Sequence, residues 1–293
     1  MSSQTDQPAP IRHLDRLSSI AGNYDGYIVD LWGVVHDGVT PYPGAIACLQ
    51  RLREAGKRVV LLSNAPRRVA PVQAGLRRMG LPDDSYDGIL TSGEATRVML
   101  EQRTDPWIAS VGRRVLHLGP EKDASVYAGL DLTLVTAPGD ADLLLNTGPD
   151  DDSAEDVLAI YAPLLRACGE ARVPMLCANP DLEIVRGGKR IVCAGLLASQ
   201  YAQLGGQVRS IGKPHPEVYA QVLDMLAVPR DRVLAVGDAL ATDIAGAKAA
   251  GIASCWVLGG IHAEMIGDNM ALAEAEAGSA GLAPVATIPS LGW

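Results

Sequence analysis

The stretch Ile28–Gly38, IVDLWGVVHDG, begins with apolar residues and reaches a carboxylate at Asp30. An apolar run that ends in an aspartate is typical of a buried strand whose last residue enters a functional site. Trp32 follows only two positions later. The stretch therefore raises two questions: which chemistry uses Asp30, and what an indole does beside it.

Strand and helix patterns alternate on both sides of this stretch. Apolar β-branched runs predict strands, and apolar residues at helical spacing predict helices. The strands are predicted at 27–31, 58–62, 208–211, 232–236 and 253–258, and the helices at 43–55, 69–79, 217–226 and 242–250. This alternation predicts an α/β fold with a Rossmann-like, doubly wound parallel sheet.

A segment with secondary structure of its own interrupts the alternation. Its strands are predicted at 115–118, 132–135, 143–146 and 175–178, and it contains a long helix at 154–168. Its length of about 115 residues is that of a domain. We therefore expect a discontinuous core made of residues 1–91 and 208–293, and an inserted α/β cap domain at residues 92–207.

The composition of the chain narrows the class of partner. The chain has 293 residues, a formal net charge of −9 and 48% hydrophobic residues. Proteins that bind nucleic acids or anionic membranes usually carry clusters of Lys and Arg. The acidic net charge of this chain argues against such a surface. The chain also has no apolar run of membrane-spanning length, and its five cysteines form no C-x-x-C pair. We expect a cytoplasmic protein whose partner is a small molecule.

Polar residues follow four of the predicted core strands. In a parallel sheet, ligands collect at the carboxyl ends of the strands. The polar residues at these ends are Asp30, Ser63, Asn64, Lys213, Asp238 and Asp243. One carboxylate can attack phosphorus, others can hold Mg²⁺, and a lysine and a hydroxyl can bind the phosphoryl oxygens. The set is typical of a phosphoryl-transfer site.

Four motifs in this order resemble the haloacid dehalogenase superfamily. They are DLWGV (30–34), LLSNA (61–65), GKP (212–214) and GDALATD (237–243). Two further segments, ILTSGEAT (89–96) and CANPDLEIVRGG (177–188), resemble the class IIA, NagD-like branch with its large α/β cap. The likeness extends from Tyr24 to about Gly260.

The resemblance implies roles for the charged residues. Asp30 is expected to be the nucleophile and a metal ligand, and the backbone carbonyl of Trp32 a second ligand. Asp238 is expected to bind Mg²⁺, and Asp243 to bind it through water or to lie next to the ligands. Lys213 is expected to stabilise both the nucleophile and the phosphoryl group.

The resemblance also implies which residues bind the substrate, a small phosphorylated metabolite. Ser63 and Asn64 are expected to bind the phosphoryl oxygens. Asn179 and Asp181 lie where class IIA caps contact substrate and are therefore candidate substrate contacts. Because class IIA relatives often pair through their caps, a homodimer is also expected.

Trp32 departs from the pattern of the superfamily. Its phosphatases carry an aspartate at this position, which protonates the leaving group and then activates water. An indole N–H cannot do either, because it is a donor that does not titrate usefully. Losing a general acid–base group typically lowers the rate by about 10²–10⁴-fold. We therefore expect a Mg²⁺-dependent hydrolase with an aspartyl-phosphate intermediate and with weak or narrow activity.

Three explanations of Trp32 stay open. The protein is a phosphatase that uses an easily lost leaving group or another proton carrier, such as His36, Asp37 or a cap carboxylate. Alternatively, it is a phosphotransferase or a non-catalytic phospho-ligand-binding or regulatory protein. The third explanation is 2-haloacid dehalogenase chemistry, which is ranked last because Asp238 implies a metal that halide displacement does not need. For His36 and Asp37 themselves, a role in the turn before Gly38 is favoured.

Overall fold

Two sheets and a hairpin contain the strands of the described part of the chain. The computed structural model describes residues 10–150 and 156–293. The strands are β1 (Arg12–His13), β2 (Gly26–Val29), β3 (Arg58–Ser63), β4 (Gly88–Thr91), β5 (Arg114–Leu118), β6 (Thr133–Val135), β7 (Leu143–Asn146), β8 (Met175–Cys177), β9 (Glu183–Arg186), β10 (Lys189–Val192), β11 (Val208–Ser210), β12 (Val233–Gly237), β13 (Ala253–Val257) and β14 (Ala286–Ile288).

Helices connect most of these strands. They are α1 (Ser18–Ala21), α2 (Ala45–Glu54), α3 (Val69–Arg78), α4 (Ser92–Gln102), α5 (Pro106–Ser110), α6 (Val157–Glu170), α7 (Ala194–Gln203), α8 (Pro216–Leu226), α9 (Ala245–Ala250), α10 (Ala263–Ile266) and α11 (Met270–Ser279). A π-helical turn, Leu240–Ile244, precedes α9. Within the described residues, no helix is long and apolar enough to cross a membrane.

The larger sheet, called the core sheet below, has the strand order β1-β14-β13-β12-β2-β3-β4. Every neighbouring pair in it is parallel. The predicted α/β class with a Rossmann-like parallel core is therefore confirmed. Because β2 lies between β12 and β3, the carboxyl ends of these three strands meet at one edge of the sheet.

The apolar run of β2 suits a strand covered on both faces. Tyr27 and Val29 pack in one apolar cluster with Leu49 of α2, whereas Ile28 packs in a second cluster with Val222 of α8. Since successive side chains of a strand point to opposite faces, a sheet with helices on both sides needs a continuous apolar run. The run therefore fixes β2 in the middle of the core sheet.

The second sheet has the order β11-β8-β7-β5-β6, and its strands are also parallel. One face packs against α6 and α7, where Leu144 shares a cluster with Leu165 and Leu197. The other face contributes Val115 and Leu143 to the same apolar cluster that holds Ile28 and Val222. The two sheets thus share one apolar cluster.

The prediction for the strand at 208–211 is wrong in one respect. This strand was expected to resume the core sheet, but Val208–Ser210 pairs with β8 at the edge of the second sheet, with Val208 opposite Met175. A three-residue apolar strand has the same sequence pattern in either sheet. The boundary predicted at 207/208 therefore falls one strand too early.

The predicted helix at 154–168 corresponds to α6, which begins at Val157. Asp156 caps it, because its side chain accepts a hydrogen bond from the backbone N–H of Ala159 at 3.0 Å. Residues 154 and 155 of the prediction lie outside the described residues.

The hairpin of β9 and β10 was not predicted. Lys189 lies opposite Arg186 in this antiparallel pair, so that Gly187 and Gly188 form a two-residue loop. A Gly-Gly pair between two apolar-polar runs is a hairpin signal. The sequence EIVRGGKRIV therefore contained the information that the prediction missed.

The start of α4 packs tightly against the loop that follows β3. The backbone N–H of Gly93 donates a hydrogen bond to the carbonyl oxygen of Ala65 at 3.1 Å. A Cβ atom on Gly93 would lie 2.5 Å from the carbonyl carbon of Pro66. Because the obstacle is backbone, only glycine allows this approach, and the approach fixes the loop that carries Asn64.

We predict that Gly93→Ala destabilises the protein by about 1–3 kcal/mol, because a methyl group must displace backbone in a packed interior. Gly75→Ala in α3 is the matched control, since its Cβ would approach only Arg78 Nη2, at 3.8 Å. Alanine in a helix interior stabilises by up to about 1 kcal/mol over glycine. Urea unfolding of both variants measures the difference, and equal stabilities would contradict the packing argument.

Candidate active site

Three carboxylates converge at the carboxyl edge of the core sheet. Asp30 follows β2, and its backbone N–H donates to the carbonyl oxygen of Val236 in β12 at 2.9 Å. Asp238 follows β12, and Asp243 lies in the π-helical turn after it. Their exposed fractions are only 7%, 5% and 4%. One oxygen from each lies within 4.8 Å of the others.

The ammonium group of Lys213 is bound between two of these carboxylates. Lys213 Nζ lies 2.5 Å from Asp30 Oδ1 and 2.8 Å from Asp243 Oδ1. Burial by itself would lower the pKa of Lys213, but Asp243, Asp30 and Asp181 outweigh burial and raise this pKa well above its usual value. The lysine therefore stays charged and donates to the predicted nucleophile.

One ammonium does not neutralise three buried carboxylates. Burial raises the pKa of Asp30 well above its usual range, and Asp243 and Asp238 add to this effect while Lys213 opposes it. The pKa of Asp238 rises to about 7 through burial and then through Asp243, although the N–H of Ile261 donates to it at 2.7 Å. A divalent cation among these oxygens would remove the repulsion.

The backbone of Gly33 lies directly against the carboxylate of Asp238. Gly33 has a φ of +75°, and a Cβ atom on it would overlap the carboxylate of Asp238. The glycine of the DLWGV motif thus lets the β2 loop reach the carboxylates. Together, buried carboxylate oxygens, excess negative charge and close backbone approach fit a cation that prefers oxygen ligands.

Asn64 fixes the loop after β3 against the other parts of the site. Its Oδ1 accepts hydrogen bonds from the backbone N–H of Lys213 at 2.8 Å and from Ser92 Oγ at 3.1 Å. Its Nδ2 donates to Asp181 Oδ1 at 2.7 Å. Ser63 beside it is fully buried. Ser92 belongs to the ILTSGEAT segment, to which the sequence analysis gave no residue roles.

A loop of the second sheet reaches the same place. It follows β8 and contains Asn179 and Asp181, and Asn179 Oδ1 accepts from the backbone N–H of Asp181 at 3.0 Å. Burial raises the pKa of Asp181, while Lys213 and the hydrogen bond from Asn64 oppose the rise. The structure thus brings together every site residue predicted from the sequence, although their roles stay predictions.

Two adjoining cavities lie over the site. The smaller, of about 30 Å³, is lined by Asp30 and Lys213, and the larger, of about 230 Å³, is lined by Ser63 and many apolar residues. Trp32, Asp181 and Ile184 line both cavities. These three residues therefore form the boundary between the carboxylate cluster and the larger cavity.

The indole of Trp32 is held on three sides. A Cβ on Gly38 would overlap its ring, so the ring packs directly on the Gly38 backbone. The His36 ring makes an edge contact with a centroid distance of 5.2 Å. Arg186 Cζ of the β9–β10 hairpin lies 5.9 Å from the indole centroid, which is within cation–π range. Arg186 is a residue near the site that the sequence analysis missed.

His36 and Asp37 have the geometry of turn residues. His36 Nδ1 accepts from the backbone N–H of Gly38 at 2.9 Å, and burial lowers the pKa of His36 to about 4. The imidazole is therefore neutral near pH 7 and a poor proton donor. Asp37 Oδ1 accepts from the backbone N–H groups of Val39 and Thr40 at 2.9 and 2.7 Å. These contacts favour the turn interpretation.

Comparisons with known proteins agree with this fold and site. A family model described as haloacid dehalogenase-like hydrolase matches residues 27–133, and a second, HAD-hydrolase-like model matches residues 210–276. A crystal structure of a haloacid dehalogenase-like family hydrolase from Brucella suis 1330 is 35% identical, with a TM-score of 0.82. The match covers 95% of this chain and 99% of the Brucella suis chain. The chain belongs to the haloacid dehalogenase-like hydrolase family.

Two further relatives indicate the branch of the family. Chronophin from Rattus norvegicus is 29% identical over 258 residues, which are 84% of this chain and 80% of chronophin. A glycerol phosphate phosphatase from Mycobacterium tuberculosis, solved in complex with magnesium, is 28% identical with a TM-score of 0.61. The match covers 83% of this chain and 70% of that structure. The chain is thus similar to phosphatases of the family.

We predict that Asp238→Asn stabilises the metal-free protein at pH 8 by on the order of 1–3 kcal/mol. The raised pKa of Asp238 means that the folded protein loses stability as pH rises from about 4 towards 7, where this carboxyl ionises. Asparagine removes the charge and keeps an acceptor for Ile261. Thermal unfolding with and without Mg²⁺ provides the measurement, and the variant should lose most of the Mg²⁺-dependent rise in Tm.

The matched control is Asp224→Asn, which removes one exposed carboxylate from α8. It should keep the wild-type response to Mg²⁺. An Asp238→Asn protein that responds to Mg²⁺ as the wild type does would show that Asp238 is not part of a cation site.

Proposed function

We propose that the protein is a Mg²⁺-dependent phosphatase that acts on a small phosphorylated metabolite through an aspartyl-phosphate on Asp30. The observation that carries this proposal is the contact of Lys213 Nζ with Asp30 Oδ1, at 2.5 Å, beside Asp238 and Asp243. A carboxylate held by an ammonium group at a cation site has what nucleophilic attack on phosphorus requires.

In this proposal, Asp30, Asp238 and the backbone carbonyl of Trp32 would hold Mg²⁺, with Asp243 beside them as a direct or water-mediated ligand. The cation would neutralise the negative charge shared by nucleophile and phosphoryl group. Lys213 orients Asp30 and binds a phosphoryl oxygen.

Ser63 through its hydroxyl and Asn64 through its backbone N–H donate to the remaining phosphoryl oxygens, since Asn64 Nδ2 already donates to Asp181 and to the Lys213 carbonyl. Asn64 is suited to this task because its hydrogen bonds to Lys213 and Ser92 fix its orientation before substrate binds.

We further propose that residues 92–210 form a cap over the site, with Asn179 and Asp181 as substrate contacts. Their loop belongs to the second sheet, yet Asp181 accepts a hydrogen bond from Asn64 of the core. The larger cavity, of about 230 Å³, offers space for a small leaving group. A phosphatase that acts on glycerol phosphate is among the relatives, which supports a small phosphomonoester as substrate.

We propose that activity is weak or narrow because Trp32 occupies the position of the proton-transfer aspartate. Hydrolysis of an alkyl phosphate needs a proton for the leaving oxygen, whereas a nitrophenolate leaves without one. The rate penalty of about 10²–10⁴-fold for a missing general acid therefore applies mainly to alkyl phosphates.

We predict that rapid mixing of the protein with p-nitrophenyl phosphate and Mg²⁺ gives a burst of nitrophenolate close to one equivalent, followed by slow turnover. The burst reports formation of the aspartyl-phosphate, and the slow phase reports its hydrolysis without efficient activation of water. Stopped-flow absorbance measures both phases. Asp30→Asn, which keeps the size of the side chain but is not nucleophilic, should abolish both.

Other outcomes separate the alternatives. Turnover only when an alcohol acceptor is added would indicate a phosphotransferase. Ligand- and Mg²⁺-dependent thermal stabilisation without product would indicate a binding protein. Release of halide from a haloacid at a rate that EDTA does not change would support the dehalogenase interpretation and contradict the proposal.

We predict that Trp32→Asp raises the turnover of alkyl phosphates by at least about 10-fold, because it adds a carboxyl that can donate and accept a proton. Trp32→Asn is the control, since it opens the same space without a titratable group. The rate of phosphate release from glycerol phosphate is measured for both variants at a temperature at which both are folded. An equal gain in both would mean that the indole acts by obstruction alone.

A further inference from the structure

The proposed reaction needs two proton transfers for which the sequence provides no group at position 32. Among the described residues, the small cavity is lined by six carboxylate or ammonium side chains, namely Asp30, Asp181, Glu183, Lys213, Asp238 and Asp243. Four of them belong to the nucleophile and cation site. Glu183 forms an ion pair with Arg190 across the β9–β10 hairpin. Of the charged groups that line the small cavity, Asp181 is therefore the one still available for proton transfer.

Asp181 lies where a proton carrier must act. In the proposed function, phosphorus sits beside Asp30 in the small cavity and the leaving group extends into the larger one. The ester oxygen that joins them then lies at the boundary between the two cavities. Asp181 lines both cavities, whereas Trp32 and Ile184, the other boundary side chains, do not titrate usefully.

The hydrogen bonds of Asp181 leave one of its oxygens available. Asn64 Nδ2 donates to Oδ1 at 2.7 Å and so fixes the plane of the carboxyl group. Within the described part of the chain, Asp181 Oδ2 has no hydrogen-bond partner. The charged groups that act on Asp181 are Lys213 and Asp243. An oriented carboxyl with one free oxygen is suited to donate and to accept a proton.

We infer that Asp181, supplied by the second sheet, is the general acid and base that replaces, with lower efficiency, the missing aspartate at position 32. The inference rests on the proposed function. In the first step, Asp30 attacks phosphorus, the bond from phosphorus to the ester oxygen breaks, and this oxygen takes the proton of the Asp181 carboxyl group. In the second step, Asp181 takes a proton from water, the water oxygen bonds to phosphorus, and the bond from Asp30 to phosphorus breaks.

Asp181→Asn tests the inference. The variant should keep the nitrophenolate burst of about one equivalent, because that leaving group needs no proton. It should lower kcat/KM for glycerol phosphate by about 10²-fold or more and slow the second phase with p-nitrophenyl phosphate. Asp181→Glu should retain more alkyl phosphate turnover than Asp181→Asn. Glu170→Gln is the control for the loss of one negative charge, because it removes an exposed carboxylate at the end of α6.

A double variant separates proton transfer from a structural role. In the Trp32→Asp background, the new aspartate supplies the proton, so Asp181→Asn should lower alkyl phosphate turnover by less than it does alone. The same loss in both backgrounds, or an equal loss of burst and turnover, would overturn the inference while leaving the proposed function intact. Absence of both burst and turnover in the wild-type protein would overturn both.

Discussion

The buried ammonium of Lys213 is the charge on which the arrangement of the site depends. It contacts Asp30 after β2 and Asp243 after β12, and its backbone N–H donates to Asn64 after β3. Three strand ends are thus joined by one residue. Without this positive charge, carboxylates that are more than nine-tenths buried would repel one another in a medium of low polarity.

The same residue also explains how the second sheet becomes part of the site. Lys213 opposes the rise in the pKa of Asp181, and Asn64, which binds the Lys213 backbone, donates to Asp181 Oδ1. The carboxylate cluster around Asp30 and the loop that carries Asp181 are therefore connected through Lys213 and Asn64.

Much of the core was predictable because its sequence signals are local. The apolar run before Asp30 and the polar residues after each strand indicated a parallel sheet with one polar edge, and the structure has both. The sheet to which β11 belongs was not predictable, because three apolar residues do not specify a partner strand. The contact of Arg186 with Trp32 depends on how the hairpin packs against the core. The homodimer and the cytoplasmic location stay predictions.

The apolar cluster shared by the two sheets limits how the protein can move. It contains Ile28 and Val60 of the core sheet together with Val115, Leu143 and Leu145 of the second sheet. Exposing three such side chains costs roughly 5–9 kcal/mol at about 1.5–3 kcal/mol each. A micromolar ligand provides only about 8 kcal/mol of binding free energy in total. Separating the two sheets would therefore cost about as much free energy as such a ligand provides, so the shared cluster favours a fixed arrangement of the two sheets.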